Sequence, residues 1–96
     1  MATIQIKTPF PDQAIPLVKD ALAMETKLTR DSLRTTEDRI AELIQQLGIT
    51  PDQVLADAVR RTEDNEALLL DLEGELELRR VLQDTLHHLE QLEVCP

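Results

Sequence analysis

The stretch Ala67–Leu92 reads ALLLDLEGELELRRVLQDTLHHLEQL. Within it Leu69, Leu72, Leu76, Leu82, Leu86, Leu89 and Leu92 recur at helical spacing, with Glu, Asp, Arg and Gln between them. Apolar residues at steps of three and four put one side of a helix against something other than water. The stretch therefore predicts a long amphipathic helix, its apolar stripe widened by Leu68, Leu70 and Leu78. Gly74 inside it costs about 1 kcal/mol relative to alanine, which marks a close approach or a bend.

Upstream, Thr50-Pro51-Asp52-Gln53 is a helix start: Thr50 caps, Pro51 takes the first helical position and Gln53 completes a capping box. Just before it, Gly48 suits a left-handed residue that ends a helix. The ending helix is expected over residues 12–47, with Asp12 as cap and Pro16 in the first turn. Its stripe is Ile15, Val18, Leu22, Leu33, Ile40, Leu43, Ile44 and Leu47. A second helix is expected over 51–93, and a loop as short as 48–50 sets the two antiparallel. Between Arg60 and Glu66 the chain (RRTEDNE) has no apolar residue, so the second helix runs through or breaks near Thr62 to Asn65.

The arm 1–11 differs. In ATIQIK, Ile4 and Ile6 alternate with Thr3, Gln5 and Lys7, which is strand period, and Thr8-Pro9-Phe10-Pro11 ends it. With no second strand expected, its backbone groups have three outlets. It pairs with the same strand of a second copy, adds to a sheet of another protein, or stays a tail. The fold class is thus all-α: a long antiparallel helical hairpin over 12–96 with a short N-terminal β-strand.

Folding the hairpin about Ile49 sets Ile40 opposite Ala58, Leu33 opposite Asn65 and Leu22 opposite Leu76. Residues 29–39 then meet 60–66, and both are polar. This waist holds Arg30, Arg34, Arg39, Arg60 and Arg61 with Asp31, Glu63, Asp64 and Glu66. It is either a solvated, salt-bridged neck or a hinge or docking site. Two helices side by side also leave leucines in water, at about 1.5–3 kcal/mol of forgone burial each. A homodimer completing a four-helix bundle, or a partner protein, is expected to cover them. The candidate interface is Ile4, Ile6, Leu69, Leu72, Leu76, Leu82, Leu86 and Leu89.

Composition narrows the function. The chain has 96 residues, one aromatic (Phe10) and a net charge of −9. Without aromatics there is little to line a ligand pocket. The charge repels phosphate backbones, so nucleic-acid binding is not expected without a partner; it suits a basic protein, or simply maintains solubility. Cys95 is the single cysteine, sits where fraying is expected and has no base in sequence to activate it. No run approaches a membrane span and no signal-peptide core is present, so a cytoplasmic protein is expected. Asp84-x-x-His87 echoes the carboxylate–histidine pairs of di-iron bundles, yet His88 falls on the solvent side and surface histidines are the simpler reading. Glu75–Arg79 and Asp57–Arg61 are expected i,i+4 pairs. No phosphate loop, nucleophile triad, zinc spacing or cofactor motif is present, and no enzyme is expected.

Three segments carry a resemblance: MATIQIKTPFPDQAIPLVKDAL (1–22), ITPDQVL (49–55) and LDLEGELELRRVLQDTLHHLEQLEVC (70–95). They resemble small acidic prokaryotic proteins encoded beside small toxins, the antitoxin members of such pairs. The resemblance implies a non-enzymatic protein that binds and neutralises a basic partner encoded nearby. Leu69, Leu70 and Leu72 stand where such relatives carry aromatics. A strand followed by TPDQVLADAVRR is also similar to ribbon-helix-helix DNA binders. This chain departs from them in its long first helix and in Lys7 as its one basic strand residue. The remaining readings are a self-associating structural bundle and a metal-binding bundle.

Overall fold

A computed structural model describes residues 2–55 and 59–95, the side chain of Leu55 apart. The chain is mostly helical, in the order β1 (Ala2–Gln5), α1 (Pro11–Leu47), α2 (Pro51–Leu55), α3 (Glu66–Glu90) and β2 (Leu92–Cys95). It divides into two compact units, one of residues 33–81 and one of residues 1–32 with 82–96.

In the unit 33–81, Ile40, Leu43 and Leu72 form a buried cluster, with Ile44, Leu47, Ile49, Val54, Leu68 and Leu76 packed on it. Leu43 is fully buried and Leu72 is 2% exposed. Gly48, at φ 66°, ends α1. The Ile49 amide reaches the Ile44 carbonyl at 3.3 Å and the Gly48 amide reaches Gln45 at 3.1 Å. These two bonds satisfy carbonyls the helix end would orphan, and Ile49 returns to the cluster beside Ile44. The capping box at α2 is present: the Thr50 amide donates to Gln53 Oε1 (2.8 Å) and the Gln53 amide to Thr50 Oγ1 (3.3 Å).

The second helix is not one rod over 51–93. Residues 59–65 lie outside any helix, and Thr62 with Asn65 builds a second reciprocal cap ahead of α3. There the Thr62 amide donates to Asn65 Oδ1 (2.7 Å) and the Asn65 amide to Thr62 Oγ1 (3.3 Å). Counting equal distances from Ile49 therefore fails. It would set Asp71 level with Lys27, whereas Asp71 lies 3.6 Å from Arg39. Leu76, expected opposite Leu22, packs on the cluster of Ile40, Leu43 and Leu72. The pairing of Ile40 with Ala58 lies outside the described residues.

In the other unit, the N-terminal strand has a partner in its own chain, contrary to the expectation of no second strand, and is not a loose tail. β1 and β2 pair in parallel, Ala2 with Leu92, Thr3 with Glu93, Ile4 with Val94 and Gln5 with Cys95. Residues 92 and 93, expected to close the second helix, belong with 94 and 95 to a strand, and Cys95 is a half-buried strand residue rather than a frayed one. The register puts Ala2, Ile4, Leu92 and Val94 on one face and Thr3, Gln5, Glu93 and Cys95 on the other. Leu92, Glu93 and Val94 border a groove with Lys19 and Leu22 of α1, and Ile4, Leu92 and Val94 are less exposed than Thr3, Gln5 and Glu93. α1 starts at Pro11 rather than at a cap on Asp12. The Phe10 carbonyl accepts from Gln13 and Ala14, and Pro11 takes the first helical position. Pro16 is deeper in the helix, where it removes the amide that would bond Asp12; that residue is exposed to water.

Along α1 the less exposed positions include Ile15, Val18, Leu22, Thr26, Thr29, Leu33, Thr36, Ile40, Leu43 and Leu47, flanked by Ala14, Arg39 and Ile44. Steps of three and four are the repeat of a coiled-coil seam. Thr29 and Thr36 are each 4% exposed, so the segment read as a polar waist continues the seam with small residues. Among the described residues every buried side-chain polar atom has a partner. Thr26 shows one way: its hydroxyl donates to the Leu22 carbonyl at 2.8 Å.

Candidate functional site

The residues read as a waist fall in both units. Arg30 pairs with Glu90 at 3.1 Å inside the unit of residues 1–32 and 82–96. Arg34, Arg60, Glu63 and Asp64 are exposed in the other unit. Arg61 in that unit grips Glu66 at 2.8 Å and also Glu73. Its partners follow from the break before α3, which returns Arg61 to the first two turns of that helix; Asp57, its expected partner, lies outside the described residues. These hydrogen bonds hold the Glu66 carboxyl below its usual range and push the Arg61 guanidinium further up. All of these pairs are exposed, where an ion pair stabilises by roughly 0–1 kcal/mol. Arg79, expected to pair with Glu75, lines a cleft with Ile40, Ile44, Pro51, Val54 and Leu76, while Glu77 takes Arg80 at 2.6 Å.

Of the candidate interface, Leu69 and Leu72 are buried inside the chain and Leu76 packs on its core. Leu82, Leu86 and Leu89 are half-buried, as are Ile4 and Ile6. Leu68, one of the surplus leucines, packs on the core as well, whereas Leu70 (55% exposed) and Leu78 (44%) do not.

The exposed apolar residues form a pattern of their own. On α1, Leu17, Ala21, Met24 and Leu28 are exposed at steps of four, three and four. At 100° per residue this stripe lies about 130° round the helix from the seam. Leu17 is 70% exposed, Met24 57% and Leu28 51%, with Phe10 exposed just before the helix. On α3, Ala67, Leu70, Gly74, Leu78 and Val81 make a similar stripe on the side away from Leu69, Leu72 and Leu76. A Cβ added at Gly74 would meet nothing within 4 Å, so no contact inside the chain calls for glycine there. The sequence reading missed the α1 stripe, although the spacing of Leu17, Met24 and Leu28 was visible.

The other open feature is the sheet. The Ala2 amide donates to the Gln91 carbonyl and the Ile6 amide to the Cys95 carbonyl, both at 3.0 Å. With the parallel register, this turns the backbone bonds of Ala2, Ile4 and Ile6 toward β2. The N–H and C=O groups of Thr3 and Gln5 then point to the outer edge, where both residues are exposed.

His87, His88 and Asp84 are exposed, and no group of three or more His, Cys, Asp or Glu among the described residues is arranged to hold a metal. The cleft lined by Gln53, Val54, Val59, Arg61, Leu69, Leu72, Glu73 and Leu76 holds about 70 Å³. The more open groove bordered by Lys19, Leu22, Leu92, Glu93 and Val94 holds about 360 Å³, within the size range of ligand pockets. Among the described residues no helix is long and apolar enough to cross a membrane. No family model matches the chain, and no curated protein or solved structure matches it.

Proposed function

We propose that this protein is a non-enzymatic interaction module whose exposed helix stripes are covered by another protein chain. The observation that supports it is the pair of apolar stripes at coiled-coil spacing, Leu17, Ala21, Met24 and Leu28 on α1 and Ala67, Leu70, Gly74, Leu78 and Val81 on α3. Scattered exposed leucines need no explanation, but aligned ones on a helix face match the surface a partner helix covers.

The charge of −9 favours a basic partner, which it would attract at long range. Neutralisation of a small toxin, as the sequence resemblance implies, is the specific form of this reading. The test is co-expression with the product of the adjacent gene, followed by co-purification and rescue of growth. Leu70→Lys with Leu78→Lys, or Leu17→Lys with Met24→Lys, should abolish the complex without changing helix content. A complex that survives both pairs would remove the stripes from the account.

A second reading gives the stripes to a second copy, with helices of two chains forming a four-helix bundle. Gly74 favours it, because a glycine in an apolar stripe lets two backbones approach closely. Self-association that is lost in the same lysine variants, with no binding of the neighbouring gene product, would select this reading over the first.

A further inference from the structure

We propose that the outer edge of β1 pairs antiparallel with β1 of a second copy of this chain, about a two-fold axis at Ile4. A parallel pair of strands standing alone is an unusual object, because parallel sheets occur in larger assemblies and two strands are marginal in water. Here Thr3 and Gln5 present unpaired backbone groups on an exposed edge. Natural edges are guarded by charge, proline or a bulge. None of these occurs between Ala2 and Ile6; Lys7 and Pro9 come only after the strand.

The occupant follows from charge and register. The opposite edge of the sheet belongs to β2, where two copies pairing about their centre would bring Glu93 against Glu93, and like charges facing each other are destabilising. The β1 edge has no charge from Ala2 to Ile6. Antiparallel pairing can use the outward groups only by matching Thr3 and Gln5 among themselves. Matching Thr3 with Gln5 of the other copy keeps every bonded residue inside the strand, whereas pairing Thr3 with itself needs Met1 and pairing Gln5 with itself needs Lys7. The chosen register sets Ile4 against Ile4 in the close, non-hydrogen-bonded position, with Ala2 opposite Ile6. The apolar faces of both copies then join in one sheet of order β2–β1–β1–β2.

The test is sedimentation equilibrium of the purified full chain, wild type and Thr3→Pro, with hydrogen exchange of the Gln5 amide. Proline is tolerated where the amide it removes faces away from the ladder, so Thr3→Pro blocks the edge and leaves the β1–β2 bonds in place. The wild type should reach twice 10.9 kDa with a slowly exchanging Gln5 amide, and Thr3→Pro should weaken association by about tenfold or more. A monomeric wild type, or a dimer in which Gln5 exchanges freely, would overturn the proposal. Should Thr3→Pro lose helix content, the Gln5 exchange of the wild type decides alone. The proposal is separate from the helix stripes: lysine variants that lose a partner but keep the doubled mass would leave it standing.

Discussion

Leu72 and Leu70 are two residues apart on α3, and replacing each by alanine separates core from open surface. Leu72 is 2% exposed and lies in the cluster with Ile40 and Leu43. Truncation there forfeits the buried methyl groups and leaves a cavity, at about 2–5 kcal/mol. A chain of 96 residues has a total stability of roughly 5–14 kcal/mol, so this is a large share. At about 4–8 °C per kcal/mol, a loss of about 3 kcal/mol lowers the melting temperature by roughly 12–24 °C. Leu70 is 55% exposed, so its truncation costs the isolated chain about 1 kcal/mol or less. Thermal unfolding followed by circular dichroism on dilute protein measures both. Equal losses, or a larger one for Leu70→Ala, would refute the placement of the core on the Leu69–Leu72–Leu76 side of α3. Repeating the melts at high concentration adds a second readout, because a Leu70 covered by another chain costs more when the chains are associated.

Three further outcomes are expected. Gly74→Ala should stabilise the dilute chain by about 0.4–1 kcal/mol, since its helix has room for the methyl, and should weaken any association that brings a backbone against that stripe; paired melts and binding isotherms check both. Gly48→Ala should destabilise by about 1–2 kcal/mol in urea titration, because φ 66° is strained for a residue with a Cβ. Arg61 holds the Glu66 carboxyl below its unfolded value, so this pair supports the fold above the usual carboxylate range and its contribution is lost as pH falls through the lowered value. Carboxyl NMR titration should find Glu66 titrating below ordinary glutamates and returning to them in Arg61→Gln.

What could be read in the sequence depended on how local its cause was. The end of α1 at Leu47, Gly48 and the Thr50 box are decided within a few residues, and reading them needed nothing else. Thr62 with Asn65 is an equally local cap, but the lack of apolar residues in RRTEDNE offers a break there only as one of two alternatives, because hydropathy says nothing about capping. β2 could not be read at all. Leu92 continues the helical spacing from Leu89, and what makes 92–95 a strand is hydrogen bonding to Ala2–Gln5 at the far end of the chain. The seam through Thr29 and Thr36 was hidden by their polarity, since a buried threonine can satisfy its hydroxyl on its own helix, as Thr26 does on Leu22. For the candidate surface, surplus leucine was legible in Leu70 and Leu78. Which leucines were surplus was not, because the core claims Leu69, Leu72 and Leu76 only once the helix break has set their register.

The most direct measurement is methyl NMR with a soluble paramagnetic probe, on the dilute chain and on the chain bound to its partner or to itself. Leu43 and Leu72 should be shielded in both states. Leu17, Met24, Leu28, Leu70, Leu78 and Val81 should be broadened by the probe when the chain is dilute and shielded once it associates. Stripe methyls that remain open to the probe in every associated state would contradict the proposed role of these faces.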